Sequence, residues 1–249
     1  MIALPRLYPI LDAGSFPDLK ALLSAADQLS GAGCRLIQYR SKSVNARVML
    51  QQARELRRLT AQSQNPRPVA EGATRVGHSA FAVPAFAIQD QNPHFSQNQG
   101  EVGHPQPTVR LIMNDRADLC LAAGFDGVHV GQNDLSPHAV RKIIGPDRWL
   151  GVSTHNPEQV READLTSADY LAIGPVFATS SKERADPVVG LEGVRFAREL
   201  TRKPLVAIGG ITRANAASVI EAGADSVAVI SDLVRDPRKS AEEFFRILR

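Results

Sequence analysis

Two short apolar runs set the pattern of this chain. Leu111-Ile112-Met113 ends in Asn114-Asp115, and Val128-His129-Val130 ends in Gly131-Gln132-Asn133-Asp134. Runs this short that close on a carboxylate read as strands buried on both faces. Strands of that kind belong to parallel sheets covered by helices. The same alternation extends in both directions. It predicts strands at 8–12, 36–38, 109–113, 127–130, 149–153, 170–173, 205–208 and 226–230. Between them lie amphipathic stretches, the first carrying Leu19, Leu22, Leu23, Ala26 and Leu29 at helical spacing. Gly31 and Gly124 stop helices, while Ser136-Pro137 and Asn156-Pro157 open them. Eight strands alternating with eight helices predict an α/β fold, a (β/α)8 TIM barrel forming a single domain over 1–249. An open doubly wound sheet is the alternative, but no glycine-rich dinucleotide fingerprint follows the first strand. An internal echo, Ala123-Gly124-Phe125-Asp126-Gly127-Val128 against Ala222-Gly223-Ala224-Asp225-Ser226-Val227, supports the repeat.

The alternation breaks at 63–107, between the second helix and the third strand. This stretch holds Pro66, Pro68, Pro84, Pro93, Pro105 and Pro107, much Gln and Asn, and no Lys. It reads as a flexible insertion. His78, His94 and His104 fall in it at no metal-ligand spacing. A connection that enters a strand lies opposite the barrel mouth, so the insertion is expected not to touch substrate.

Composition narrows the function classes. Hydrophobic residues make up 43% and aromatics 5%, so the core is aliphatic. The net charge of +3 is spread out; Arg54, Arg57 and Arg58 on one helix read as a solvated face rather than a nucleic-acid patch. Cys34 and Cys120 sit far apart in apolar contexts and read as buried thiols. No run approaches a membrane span and no signal-peptide pattern opens the chain, so a cytoplasmic protein is expected, with no nucleic-acid or membrane partner. A homo-oligomer is compatible with the sequence.

In a barrel all strand exits face one mouth, where their polar residues gather. The second strand delivers Gln38, Tyr39, Arg40, Ser41 and Lys42. Alternation points Gln38, Arg40 and Lys42 the same way, and two cations with an amide suit a multi-oxygen anion such as a diphosphate. The plain alternative is surface charge. Asp115 and Asp134, with a diphosphate, could hold Mg²⁺; the plain alternative is N-capping, since each precedes a helix. The fifth strand gives Ser153, Thr154 and His155. The loop after the sixth gives Thr179, Ser180, Ser181 and Lys182. Gly209-Gly210 and Ile230-Ser231, after the seventh and eighth, suit a backbone phosphate cradle or ordinary turns. No Ser-His-Asp order, cysteine nucleophile or zinc motif is present. The chemistry expected is displacement of diphosphate by positioning and charge stabilisation.

In this order Gln38-Tyr39-Arg40-Ser41-Lys42, Asn114-Asp115-Arg116, Gly131-Gln132-Asn133-Asp134-Leu135, Gly151-Val152-Ser153, Gly174-Pro175-Val176-Phe177 through Lys182, and Ile208-Gly209-Gly210-Ile211 resemble the thiamine phosphate synthase family. The resemblance covers nearly all of the chain outside 63–107. It implies condensation of a hydroxymethylpyrimidine diphosphate with a thiazole phosphate, by loss of diphosphate first. It implies that Gln38, Arg40, Lys42, Asn114 and Lys182 hold the pyrimidine diphosphate, with Ser153 on the pyrimidine side. It assigns Asp115 and Asp134 to Mg²⁺, and Thr179, Ser181, Gly210, Ile230 and Ser231 to the thiazole phosphate. Arg40, Lys42, Lys182 and Ser153 are then the catalytic group. The loop departs from the family pattern, reading Ala178-Thr179-Ser180-Ser181-Lys182 where the family has Pro-Thr-x-Thr-Lys. A thiazole tautomerase, using an acid–base residue such as His155, and a non-catalytic binder of thiazole or thiamine phosphate are the rival readings.

Overall fold

The computed structural model describes residues 2–62, 108–179 and 186–249. Eight strands, β1 (Leu7–Asp12), β2 (Leu36–Arg40), β3 (Arg110–Asn114), β4 (Gly127–Val130), β5 (Trp149–Thr154), β6 (Tyr170–Ile173), β7 (Leu205–Ile208) and β8 (Ser226–Val229), pair in sequence order. All pairs are parallel, and β8 closes on β1 through Leu7, Tyr8 and Pro9 beside Val227, Ala228 and Val229. Helices α1 (Leu19–Gly31), α2 (Ala46–Gln62), α3 (Ala117–Ala123), α4 (Pro137–Ile144), α5 (Pro157–Asp164), α6 (Gly190–Leu200), α7 (Ala216–Glu221) and α8 (Pro237–Ile247) follow the strands in turn. The barrel expected from the alternation is the barrel observed. The flexibility read into 63–107 lies outside the described residues.

Each strand alternates between two cores, as a period of two requires. Ile37, Leu111, Met113, Val128, Val130, Leu150, Val152, Leu171, Ile173, Leu205, Ala207, Val227 and Val229 face outward into the layer shared with the helices. Tyr8, Ile10, Leu36, Ile112, Tyr170, Ala172, Val206 and Ala228 fill the barrel. The inner set ends upward in polar residues, which makes the mouth. Both cysteines are buried, and burial pushes each thiol up to about 12, so neither is a nucleophile at neutral pH.

The opposite end of the barrel carries a device repeated three times. Asp126, Asp169 and Asp225, each just before an even-numbered strand, accept from the backbone N–H groups of Leu111, Leu150 and Leu205 at 2.7, 2.7 and 2.8 Å. The same carboxylates pair with Arg57 of α2, Arg141 of α4 and Arg198 of α6 at 2.6, 2.7 and 2.9 Å. The echo in the sequence is therefore a clamp that ties two adjacent strands to the helix before them. Arg57, read as part of a solvated face, is one arm of it. Asp169→Ala leaves the Leu150 amide and the Arg141 guanidinium without their shared acceptor. A hydrogen bond to a charged group contributes about 1.5–3 kcal/mol, and the partial exposure of this pair places the loss at about 2 kcal/mol. Chemical denaturation should show it as a lower midpoint at unchanged m-value, with catalytic constants at the distant mouth unaltered.

Candidate functional site

At the mouth, Arg40 ends β2 with its side chain turned into the barrel and ion-paired to Asp12 at the end of β1. Asp115 follows β3 in the left-handed backbone region, at φ +62°, where a non-glycine residue is strained. Its amide donates to the His129 carbonyl at 2.8 Å. Asp134, beyond β4, accepts from the Gly131 amide at 2.8 Å and lies within hydrogen-bonding reach of the Asp115 side chain.

The capping alternative for these two carboxylates fails. The cap position of α3 is Arg116, with no side-chain cap bond, and α4 is capped by Ser136, whose hydroxyl accepts from the Ala139 amide. Instead the carboxylates face one another. Burial first, and then the neighbouring Asp134 charge, raise the Asp115 pKa to about 7 against the lowering pull of Arg40 and Asn114. The half-buried Asp115 carboxylate and the exposed Asp134 carboxylate repel, and a hard divalent cation relieves that repulsion. The donor set of carboxylate oxygens, completed by ligand oxygens, fits Mg²⁺. Among the described residues no cluster of three or more His, Cys, Asp or Glu side chains stands ready for a metal, so such an ion takes its remaining ligands from elsewhere.

The cavity beneath this rim is about 140 Å³ and reaches across the mouth. Gln38, Arg40, Asn114, Ser153, Thr179, Gly210, Ile230 and Ser231 all line it. Tyr8, His129, His155 and Asp186 also line it, and sequence reading singled out only His155 of these. Gly210, at φ +63°, lies under the Ala178 carbonyl and the Phe177 side chain, so any Cβ there would press on the loop after β6.

Three residues of the second strand's exit stand elsewhere. Tyr39 alternates with Gln38 and Arg40, so its side chain turns outward, packs edge-on to Phe125 and donates to Gln52 at 2.6 Å. It is not a mouth side chain. Lys42 lies two residues past the end of β2, where alternation no longer applies, and is exposed outside the cavity lining. Ser41 is half-buried outside the cavity lining, its hydroxyl accepting from the Ser43 amide at 3.2 Å. Ser180, Ser181 and Lys182 lie outside the described residues.

The floor of the cavity is a chain of buried polar groups. The Gln38 amide donates to the Tyr8 hydroxyl at 3.0 Å, which meets the Tyr170 hydroxyl at 2.9 Å. Tyr170 meets Nδ1 of His129 at 3.1 Å, and Nε2 of His129 meets the Ser153 hydroxyl at 2.9 Å. Burial pulls the His129 pKa down to about 4, so the ring is neutral at pH 7. Burial pushes both tyrosines well above their ordinary range, so both keep their hydrogens.

Fold and mouth together define a (β/α)8-barrel enzyme whose working groups come from the ends of many strands. Among the described residues no helix is long and apolar enough to cross a membrane. A family model described as thiamine monophosphate synthase matches residues 101–233. Thiamine-phosphate synthase of Koribacter versatilis (strain Ellin345) is 49% identical over 250 residues, covering 99% of this chain and 97% of that relative. The enzyme of the same name from Chloroflexus aurantiacus is 37% identical, over 92% of this chain and 85% of the relative. The structure of a thiamine phosphate pyrophosphorylase from Pyrococcus furiosus superposes with a TM-score of 0.71 at 29% identity, covering 98% and 95% of the two chains. A tryptophan synthase α-subunit from the same organism, at 14% identity and a TM-score of 0.57, shares the fold alone. The chain belongs to the thiamine monophosphate synthase family.

Proposed function

We propose that this protein is a thiamine-phosphate synthase, joining 4-amino-2-methyl-5-(diphosphooxymethyl)pyrimidine to 4-methyl-5-(2-phosphoethyl)thiazole with release of diphosphate. The observation that carries the reading is the facing pair Asp115 and Asp134 beside Arg40 and Asn114, the latter two lining a cavity with Gln38, Ser153, Thr179, Gly210 and Ser231. In the reaction the carbon–oxygen bond to diphosphate breaks, the electron pair leaves with diphosphate, and the thiazole nitrogen bonds to the freed carbon. No proton is transferred to or from a protein nucleophile.

Asp115 and Asp134 are the residues that would hold Mg²⁺, which when bound neutralises charge on the leaving diphosphate. Arg40 supplies a fixed cation, oriented by Asp12, and Asn114 a neutral donor beside it. Lys42 and Lys182 bring further positive charge to the diphosphate in this reading. Thr179, Ser180 and Ser181 with Gly210, Ile230 and Ser231 take the thiazole phosphate across the mouth. In this reading residues 63–107 belong to the one barrel domain. The protein works in the cytoplasm.

The test is a product assay with both substrates, with and without EDTA. One diphosphate per thiamine phosphate, abolished by EDTA and restored by Mg²⁺, is the expected result. Isomerisation of the thiazole without diphosphate release would make the protein a tautomerase, and binding without turnover would make it a carrier.

A further inference from the structure

The hydrogen-bonded floor of the cavity has a direction. A hydroxyl has one hydrogen to donate, and a neutral imidazole donates from one nitrogen and accepts at the other. The Tyr8 oxygen already accepts from the Gln38 amide, so its own hydrogen goes to the Tyr170 oxygen. Tyr170 in turn donates to Nδ1 of His129. The imidazole hydrogen is then on Nε2 and points at the Ser153 oxygen. Run the other way, Tyr8 would accept twice, and its hydrogen would be left without an acceptor among the described residues although Tyr8 is 1% exposed. Ser153, with its oxygen occupied by His129 and its carbonyl held by Gln132 at 2.5 Å, has its hydrogen left for the cavity.

We infer that His129 is a positioning residue that, with Tyr8 and Tyr170 behind it, sets Ser153 as a hydrogen-bond donor, so the subsite at Ser153 takes a substrate atom that accepts, such as an uncharged heteroaromatic ring nitrogen. The identity of that substrate rests on the synthase reading; the direction of the chain does not. His129 lines the cavity with both ring nitrogens engaged, by Tyr170 and by Ser153. It acts through Ser153, and a ring bearing N–H at that place would meet a second donor and be rejected.

The first test uses the free protein. A long-range ¹H–¹⁵N spectrum of histidine-labelled protein, with His129 assigned from the His129→Asn spectrum, should show the Nε2–H tautomer. An Nδ1–H tautomer would overturn the inference whether or not the protein is a synthase. If the His129→Asn variant does not fold, Tyr170→Phe gives the assignment as the one histidine whose Nδ1 resonance moves. The second test is kinetic. His129→Asn should raise the KM for the pyrimidine substrate about tenfold and leave that for the thiazole phosphate within about twofold. His129→Gln, which keeps a donor for Ser153, should recover part of the loss. In a Ser153→Ala background His129→Asn should add almost nothing. Additive losses, or equal rises in both KM values, would mean that His129 only fills space. A correct tautomer with no turnover would defeat the synthase reading and leave the inference standing.

Discussion

Asp115→Asn is expected to lower diphosphate release at least about 10³-fold, the scale on which one preorganised charge-stabilising group acts, and to make the folded protein more stable. Both follow from the same geometry. The Asp115 carboxyl is half-buried beside Asp134, and the two effects together lift its pKa from 3.8 to about 7. A group whose folded pKa is raised binds more protons folded than unfolded between those values, so its contribution to stability falls as pH rises from about 4 to about 7. Asparagine removes that cost. The gain in Tm should be absent near pH 4 and complete above pH 7. With solvent screening at a partly exposed site it should be about 2–4 °C, the shift that about 1 kcal/mol produces in a domain of this size. In the parent protein each cation that binds below pH 7 must displace the Asp115 proton, so apparent Mg²⁺ affinity should fall about tenfold per pH unit there. Activity and calorimetry together test this. An Asp115→Asn protein that keeps turnover, or one that is less stable at pH 8, would remove Asp115 from the role given to it.

Gly151→Ala is expected to damage the site from within the barrel. Gly151 faces inward from β5, and an added Cβ would run into the Tyr170 ring and Nδ1 of His129, well inside van der Waals contact. Neither ring can yield cheaply. Tyr170 is 0% exposed and bonded to Tyr8, and His129 is bonded to Ser153. Overpacking of this kind costs about 1–3 kcal/mol. Here it should also push Ser153 out of line and cut kcat/KM at least about tenfold. Thermal unfolding and steady-state kinetics measure the two effects. Wild-type kinetics in a destabilised protein would mean that the floor can re-form around the methyl group.

The barrel was legible because its signal is periodic and redundant. Every strand is a short apolar run and nearly every helix has a stop or start residue, so errors at one boundary do not propagate. The expected ends differ from the observed ones by one or two residues, as at β2, which runs on to Arg40 rather than stopping at Gln38. The two short 3-10 turns, Ala13–Ser15 and Ser231–Leu233, carry no periodic signal and were not expected. At the site, Arg40, Asn114, Asp115, Asp134 and Ser153 were readable as polar residues ending strands. Tyr8, His129 and Tyr170 were not, because each lies inside a strand that reads as apolar. The available clue was alternation. With Val128 and Val130 outward, His129 must point into the barrel, and a buried imidazole there needs partners. The same rule turns Tyr39 away from the mouth. Asp12 escaped notice because its role depends on the Arg40 guanidinium across the β1–β2 register.

The threefold clamp at the base has a consequence for the start of the chain. Its position before β2 is occupied by Arg35, which bonds backbone carbonyls of Ser30 and Cys34 rather than gripping a neighbouring strand. The junction of first and second strands therefore has no such clamp at its base, and the ion pair that joins them, Arg40 with Asp12, stands at the mouth. Hydrogen exchange should find this seam the first to open, and a bulky fusion at the N-terminus loads the hoop where it has no rivet.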